Sequence, residues 1–100
     1  MPAYFVAVRT AIKDAKEMET YGQKARKSMA GHQLRALAVY GKARSTDGRE
    51  TDGAVILEFP TFEAAEAWYD SPEYQSAVVH RFAGAEYQTF IIQGVEAKPS

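Results

Sequence analysis

Apolar positions change their period along the chain in an order that reads as alternating strands and helices. Tyr4 to Val8 is a run of aromatic and β-branched residues that stops at Arg9 and Thr10, which predicts a strand. From Asp14 the period lengthens, with Met18, Tyr21, Ala25 and Met29 recurring at helical spacing. Asp14 with Glu17 three residues on resembles a capping box, Lys24, Arg26 and Lys27 suit the negative end of a helix dipole, and Gly31 is placed to close it. The helix is therefore expected over about residues 14–30. Leu34 to Tyr40 reads as a second strand ended by Gly41. "ARSTDGRETDG", Ala43 to Gly53, holds two Asp-Gly turns and almost nothing apolar, so it is an exposed connection. Ala54 to Phe59 forms a third strand that runs into Pro60.

Thr61 then caps a short helix with Phe62, Ala65 and Tyr69 on one side and Trp68 beside them. Ser71 and Pro72 start another, because proline has no donor to lose at the first helical position and the serine oxygen satisfies an amide of the first turn. This helix places Tyr74, Ala77, Val78 and Phe82 on one face and ends near Gly84, and Tyr87 to Val95 is the last strand. The order β-α-β-β-α-β, with its second helix in two pieces, predicts an α+β, ferredoxin-like fold: a four-stranded antiparallel sheet with the helices on one face. The other face of such a sheet should alternate toward polar residues. Instead, Tyr4, Val6 and Val8 oppose Phe5 and Ala7, and Ala54 and Ile56 oppose Val55, Leu57 and Phe59. A sheet apolar on both sides predicts a symmetric homodimer packed through the sheet face.

A chain of 100 residues holds one core, so residues 1–96 are expected as a single domain followed by a polar tail over 97–100. Its net charge of −1 provides no field for a polyanion, and "DGAVILEF" lacks the basic and aromatic positions of an RNA-reading strand, so nucleic acid is not an expected partner. With no cysteine, disulfides and thiolate metal sites are absent. No paired ligands stand at helical spacing, and neither a metal nor another cofactor is expected. The short apolar start is neither a signal sequence nor a membrane span, which makes a cytoplasmic location, with no membrane partner, the expectation.

"VILEFPTFEAAEAWYDSPEYQ", Val55 to Gln75, resembles the signature of the domain of unknown function 1330 (DUF1330) family, with Glu58-Phe59-Pro60, Ala64-Ala65, Trp68-Tyr69 and Ser71 to Gln75 at that family's spacing. The resemblance extends more weakly over nearly the whole chain. It implies a dimeric α+β barrel, a superfamily that includes cofactor-free monooxygenases, small isomerases and haem enzymes. Relatives often carry a Gly-Gly pair entering the second strand and an Arg near its end, where this chain has Gln33-Leu34 and Val39. Arg81 falls where the family commonly has an Arg.

The candidate chemistry lies in polar groups on apolar faces. Arg81 sits within about 20° of Tyr74 on the helical wheel, on a stripe that faces the core. It is read as the structural partner of Glu58, as a cation whose stem snorkels to water, or as the holder of a ligand carboxylate or enolate. Glu58 and His32 are the candidate proton carriers. Trp68, Tyr69, Tyr4, Tyr40 and Tyr74 are candidate walls of a ligand site, and Tyr21 and Tyr87 could add hydroxyls to it. His80 is expected to be exposed. Two functions follow. The protein binds a small aromatic or carbonyl-bearing metabolite between sheet and helices, and acts on it without a cofactor; or it is a non-catalytic dimeric interaction or scavenging module whose polar residues are structural.

Overall fold

In the computed structural model, which describes residues 1–96, the elements are β1 (Ala3–Ile12), α1 (Ala15–Ser28), β2 (Arg35–Val39), β3 (Gly53–Phe59), α2 (Phe62–Tyr69), α3 (Pro72–Gly84) and β4 (Ala85–Gln93). All strand pairs are antiparallel and the sheet order is β2-β3-β1-β4, the ferredoxin-like arrangement. The tail expected over 97–100 lies outside the described residues. No described helix is long and apolar enough to cross a membrane.

Local chemistry sets the boundaries. The Asp14 carboxylate accepts from the amides of Lys16 and Glu17, Thr61 from Ala64 and Ser71 from Tyr74, each satisfying a donor that the helix start leaves unpaired. Gly31 takes φ +82° just beyond α1, the left-handed conformation that closes a helix at little cost only for glycine. β1 runs to Ile12, beyond its expected end at Val8. β4 pairs with it along that whole length, across a register shift between Arg9 and Ala11.

Strand alternation separates the two sheet faces. Phe5, Ala7, Leu57 and Phe59 are buried beneath the helices, whereas Val6 is paired across the strands with Ile56 and Phe90 on the other face, where Phe90 and Ile92 are exposed. The core under α2 and α3 is aromatic. The Trp68 ring lies 4.2 Å from Tyr74, 5.2 Å from Phe5 and 5.5 Å from Phe59, and Tyr69 packs 5.1 Å from Tyr74. Each such ring removes roughly 150–250 Å² from water, at about 25 cal/mol per Å². The corner between α2 and α3 therefore brings Trp68, Tyr69 and Tyr74 together over Phe5.

Two expectations about α3 are corrected. Phe82 is 60% exposed, because the inward stripe is Tyr74, Ala77, Val78 and Arg81, and residue 82 lies about 80° around the helix from Tyr74. His80 is half-buried rather than exposed, since it faces α1 and its Nδ1 lies 2.6 Å from Glu17 Oε2.

Trp68 donates its indole N–H to Ser28 Oγ (3.1 Å), and Ser28 donates to the Ala25 carbonyl, so one buried hydroxyl ties α2 to α1. Ser28→Ala leaves the indole N–H without an acceptor. It is expected to cost about 1–3 kcal/mol, seen as a lower urea midpoint at unchanged slope; an unchanged midpoint would refute this role for Ser28.

Candidate ligand cavity

α1 packs on α3, and β2 is exposed along its whole length. Between α1 and the β2 side of the sheet lies a cavity of about 290 Å³. Phe5, Val55, Leu57, Met29 and Trp68 make it apolar, exposed Arg26, Ala36 and Val39 form its rim, and Tyr21 and Tyr40 bring the phenolic hydroxyls. An apolar cavity of about 150 Å³ holds a benzene molecule, so this one has room for a substituted ring.

Behind the cavity stands Arg81. It is 4% exposed and makes no ion pair among the described residues. Its Nη1 donates to the Tyr74 hydroxyl at 3.1 Å, and that hydroxyl lies 2.8 Å from the hydroxyl of Tyr21. The guanidinium is also 5.3 Å from the ring centroids of Phe82 and Tyr87, so Phe82, though exposed, covers it from outside. Arg81 Nε is the one buried side-chain nitrogen or oxygen among the described residues with no hydrogen-bond partner. Burial alone lowers the pKa of a guanidinium, but the surrounding Tyr74, Tyr21 and Tyr69 hydroxyls outweigh it, and Arg81 stays above its ordinary value and charged. The phenols are held neutral: burial raises the pKa of Tyr74, Tyr40 and Tyr21 alike.

A second cation lies on the same sheet face. Arg9 continues the inward alternation of Ala3, Phe5 and Ala7, and it pairs with Asp52 (2.6 Å) and stacks 4.4 Å from the Tyr40 ring centroid. Tyr40 has φ +52°, the only positive φ at a non-glycine position among the described residues, a conformation disfavoured for a bulky side chain. Its ring lies over Gly53, where a Cβ would come within 2.6 Å of Tyr40 Cδ1, and its hydroxyl meets that of Tyr87. The absence of a side chain at Gly53 is what lets Tyr40 cross toward β4.

The structure divides the residues singled out from sequence. Trp68 and Tyr40 line the cavity, Tyr74 and Arg81 stand directly behind it, and Tyr69 packs against Tyr74 on the far side of the aromatic cluster. Tyr4 and Glu58 lie on the opposite sheet face, paired across strands, with Glu58 Oε1 bound to Arg35 at 2.9 Å. The alternative pairing of Arg81 with Glu58 is thus not formed. His32 and Glu58 share an open groove with Arg35 and Pro60 at the start of β2, away from Arg81. Arg9 was not foreseen as part of the site; the signal was the odd-numbered alternation continuing past Val8. Among the described residues no group of three or more His, Cys, Asp or Glu side chains could hold a metal ion.

Solved structures with the same fold are remote in sequence. The RPA0582 protein of unknown function from Rhodopseudomonas palustris is 14% identical, with a TM-score of 0.70 over 96% of this chain and 84% of that one. SnoaB, a cofactor-independent oxygenase from Streptomyces nogalater, is 14% identical, with a TM-score of 0.65 over 99% and 98%. A dimeric ferredoxin-like protein of unknown function from Thermobifida fusca is 13% identical, with a TM-score of 0.61 over 92% and 90%. At these identities the likeness establishes the fold and no activity. No curated protein matches the chain in sequence. The family described as "Domain of unknown function (DUF1330)" matches residues 2–95, and the chain belongs to that family.

Proposed function

We propose that the protein binds a small aromatic or carbonyl-bearing metabolite in the cavity between α1 and the sheet and stabilises negative charge on the ligand's oxygen, without a cofactor. The observation that carries this reading is Arg81: a buried guanidinium with no carboxylate partner, hydrogen-bonded through Tyr74 to a tyrosine that lines the cavity. Burying a charge without a counterion is costly, and such a site recovers part of that cost when an electron-rich ligand arrives. The residues that line the cavity include two tyrosines but no carboxylate and no imidazole. The chemistry it supports is therefore stabilisation of an enolate or phenolate by preorganised donors, not proton abstraction by a side chain of the cavity. Cofactor-independent catalysis on the same fold has a precedent in SnoaB, a cofactor-independent oxygenase.

The reading includes a homodimer formed through the bare sheet face. Val6, Ile56, Phe90 and Ile92 form an apolar patch there, and structural neighbours with this fold are dimeric. Phe90→Arg is expected to convert a dimer to a monomer in size-exclusion chromatography with light scattering. A wild-type protein that is already monomeric contradicts the dimer.

Replacing Arg81 separates function from structure. Arg81→Met removes a charge and strands no carboxylate, so urea unfolding should show stability unchanged or raised by about 1–2 kcal/mol. The same variant should be stabilised less against heat by small phenols and cyclic ketones than the wild type is. A loss of about 3–5 kcal/mol on substitution, with no effect on ligand response, would make Arg81 a structural residue and end the proposal.

A further inference from the structure

Arg81 is not among the residues that line the 290 Å³ cavity; Tyr21 is. The hydroxyl of Tyr74 bridges them, 3.1 Å from Arg81 Nη1 and 2.8 Å from the Tyr21 oxygen. A guanidinium has no acceptor, so the Tyr74 oxygen must accept from it. The cation then polarises the Tyr74 O–H, whose best acceptor in reach is the Tyr21 oxygen. Tyr21 in turn keeps its own proton: besides Tyr74, the group near its hydroxyl is the Arg81 guanidinium, which cannot accept it.

From this geometry we infer that Tyr21 is the group that contacts the ligand, and that the ligand's polar atom is a single phenolic or enolic oxygen rather than a carboxylate. This rests on the proposed ligand site and specifies it. One polarised O–H suits an oxyanion that takes a single strong hydrogen bond. A carboxylate has two oxygens to satisfy and is best held by the planar fork of an arginine presented directly in a desolvated site; here the buried fork of Arg81 is set back behind Tyr74, and the arginine that lines the cavity, Arg26, is an exposed rim residue. Arg81 and Tyr74 are accordingly positioning residues that act through Tyr21. Tyr40, the other phenol at the cavity, is already committed to Tyr87 and stacked under Arg9.

The chromogenic pair 4-nitrophenol and 4-nitrobenzoate tests the assignment, since the ring and nitro group are shared and only the acidic group differs. Wild-type protein should bind the phenol at least tenfold more tightly than the benzoate, and this comparison needs no variant. Absorbance titration of bound 4-nitrophenol against pH then reports its phenolate fraction. Tyr21→Phe keeps the ring but removes the hydroxyl, and should reduce the phenolate-to-phenol ratio about tenfold or more. Arg81→Met should shift the ratio in the same direction by less, and its effect should largely vanish in a Tyr74→Phe background.

Tighter binding of the benzoate, or a ratio that responds to Arg81→Met but not to Tyr21→Phe, would overturn the inference while leaving the ligand site standing. Failure of wild-type protein to bind either probe would overturn both.

Discussion

A guanidinium withdrawn from water has to be answered by other charges or dipoles, and the helix side of this protein is arranged around an incomplete answer for Arg81. Its position on α3 is fixed by the stripe that also buries Tyr74, Ala77 and Val78, so the charge cannot leave without unpacking the helix. Its direct contacts are neutral: the Tyr74 hydroxyl, the faces of Phe82 and Tyr87, and beyond them Tyr21. Burial keeps those phenols protonated, which preserves their capacity to donate. A fold needing only stability would do better with an apolar side chain at this point. The persistence of a buried, uncompensated charge next to a cavity is the physical reason to assign a ligand to it.

The cavity exists because the two helical layers cover the sheet unequally. α2 and α3 meet at the Ser71-Pro72 corner, and the rings of Trp68, Tyr69 and Tyr74 fill the space over Phe5 and Phe59. α1 is held to that cluster by the Trp68–Ser28 hydrogen bond and to α3 by the Glu17–His80 pair, and it does not extend over β2. The result is a dense aromatic wall on one side and an open rim on the other. Tyr40, in its strained conformation over Gly53, closes the end of the gap by reaching toward Tyr87. On the opposite sheet face Glu58 pairs with Arg35 and accepts from the Tyr4 hydroxyl, beside the apolar Val6, Ile56 and Phe90.

Much of this architecture was legible in the sequence because it rests on local rules. Asp14, Thr61, Ser71 and Pro72 announce helix starts, Gly31 a helix end, and the period-two alternation of the strands gives both sheet faces. Arg81 was recognisable as an inward cation from helical geometry alone. Its surroundings were not, because which hydroxyls meet it depends on how α1, α3 and β4 cross. The alternation in β3 already put Glu58 on the face opposite Leu57, which separates it from Arg81, but its partner Arg35 is set by strand register, and pattern alone does not reveal that. Arg9 and Phe82 show the same limit: one belongs to the inward row although it ends the apolar run, and the other falls just outside the inward stripe although it is aromatic.

The central claim, that Arg81 and its tyrosines serve a ligand rather than the fold, is tested most directly by native mass spectrometry of the protein purified from the cells that make it. The account predicts a reproducible small-molecule adduct on the wild-type protein that is released under denaturing conditions and is carried by a much smaller fraction of Arg81→Met prepared in the same way. An adduct retained equally by Arg81→Met, or a wild-type protein that is empty under every gentle condition, would contradict it.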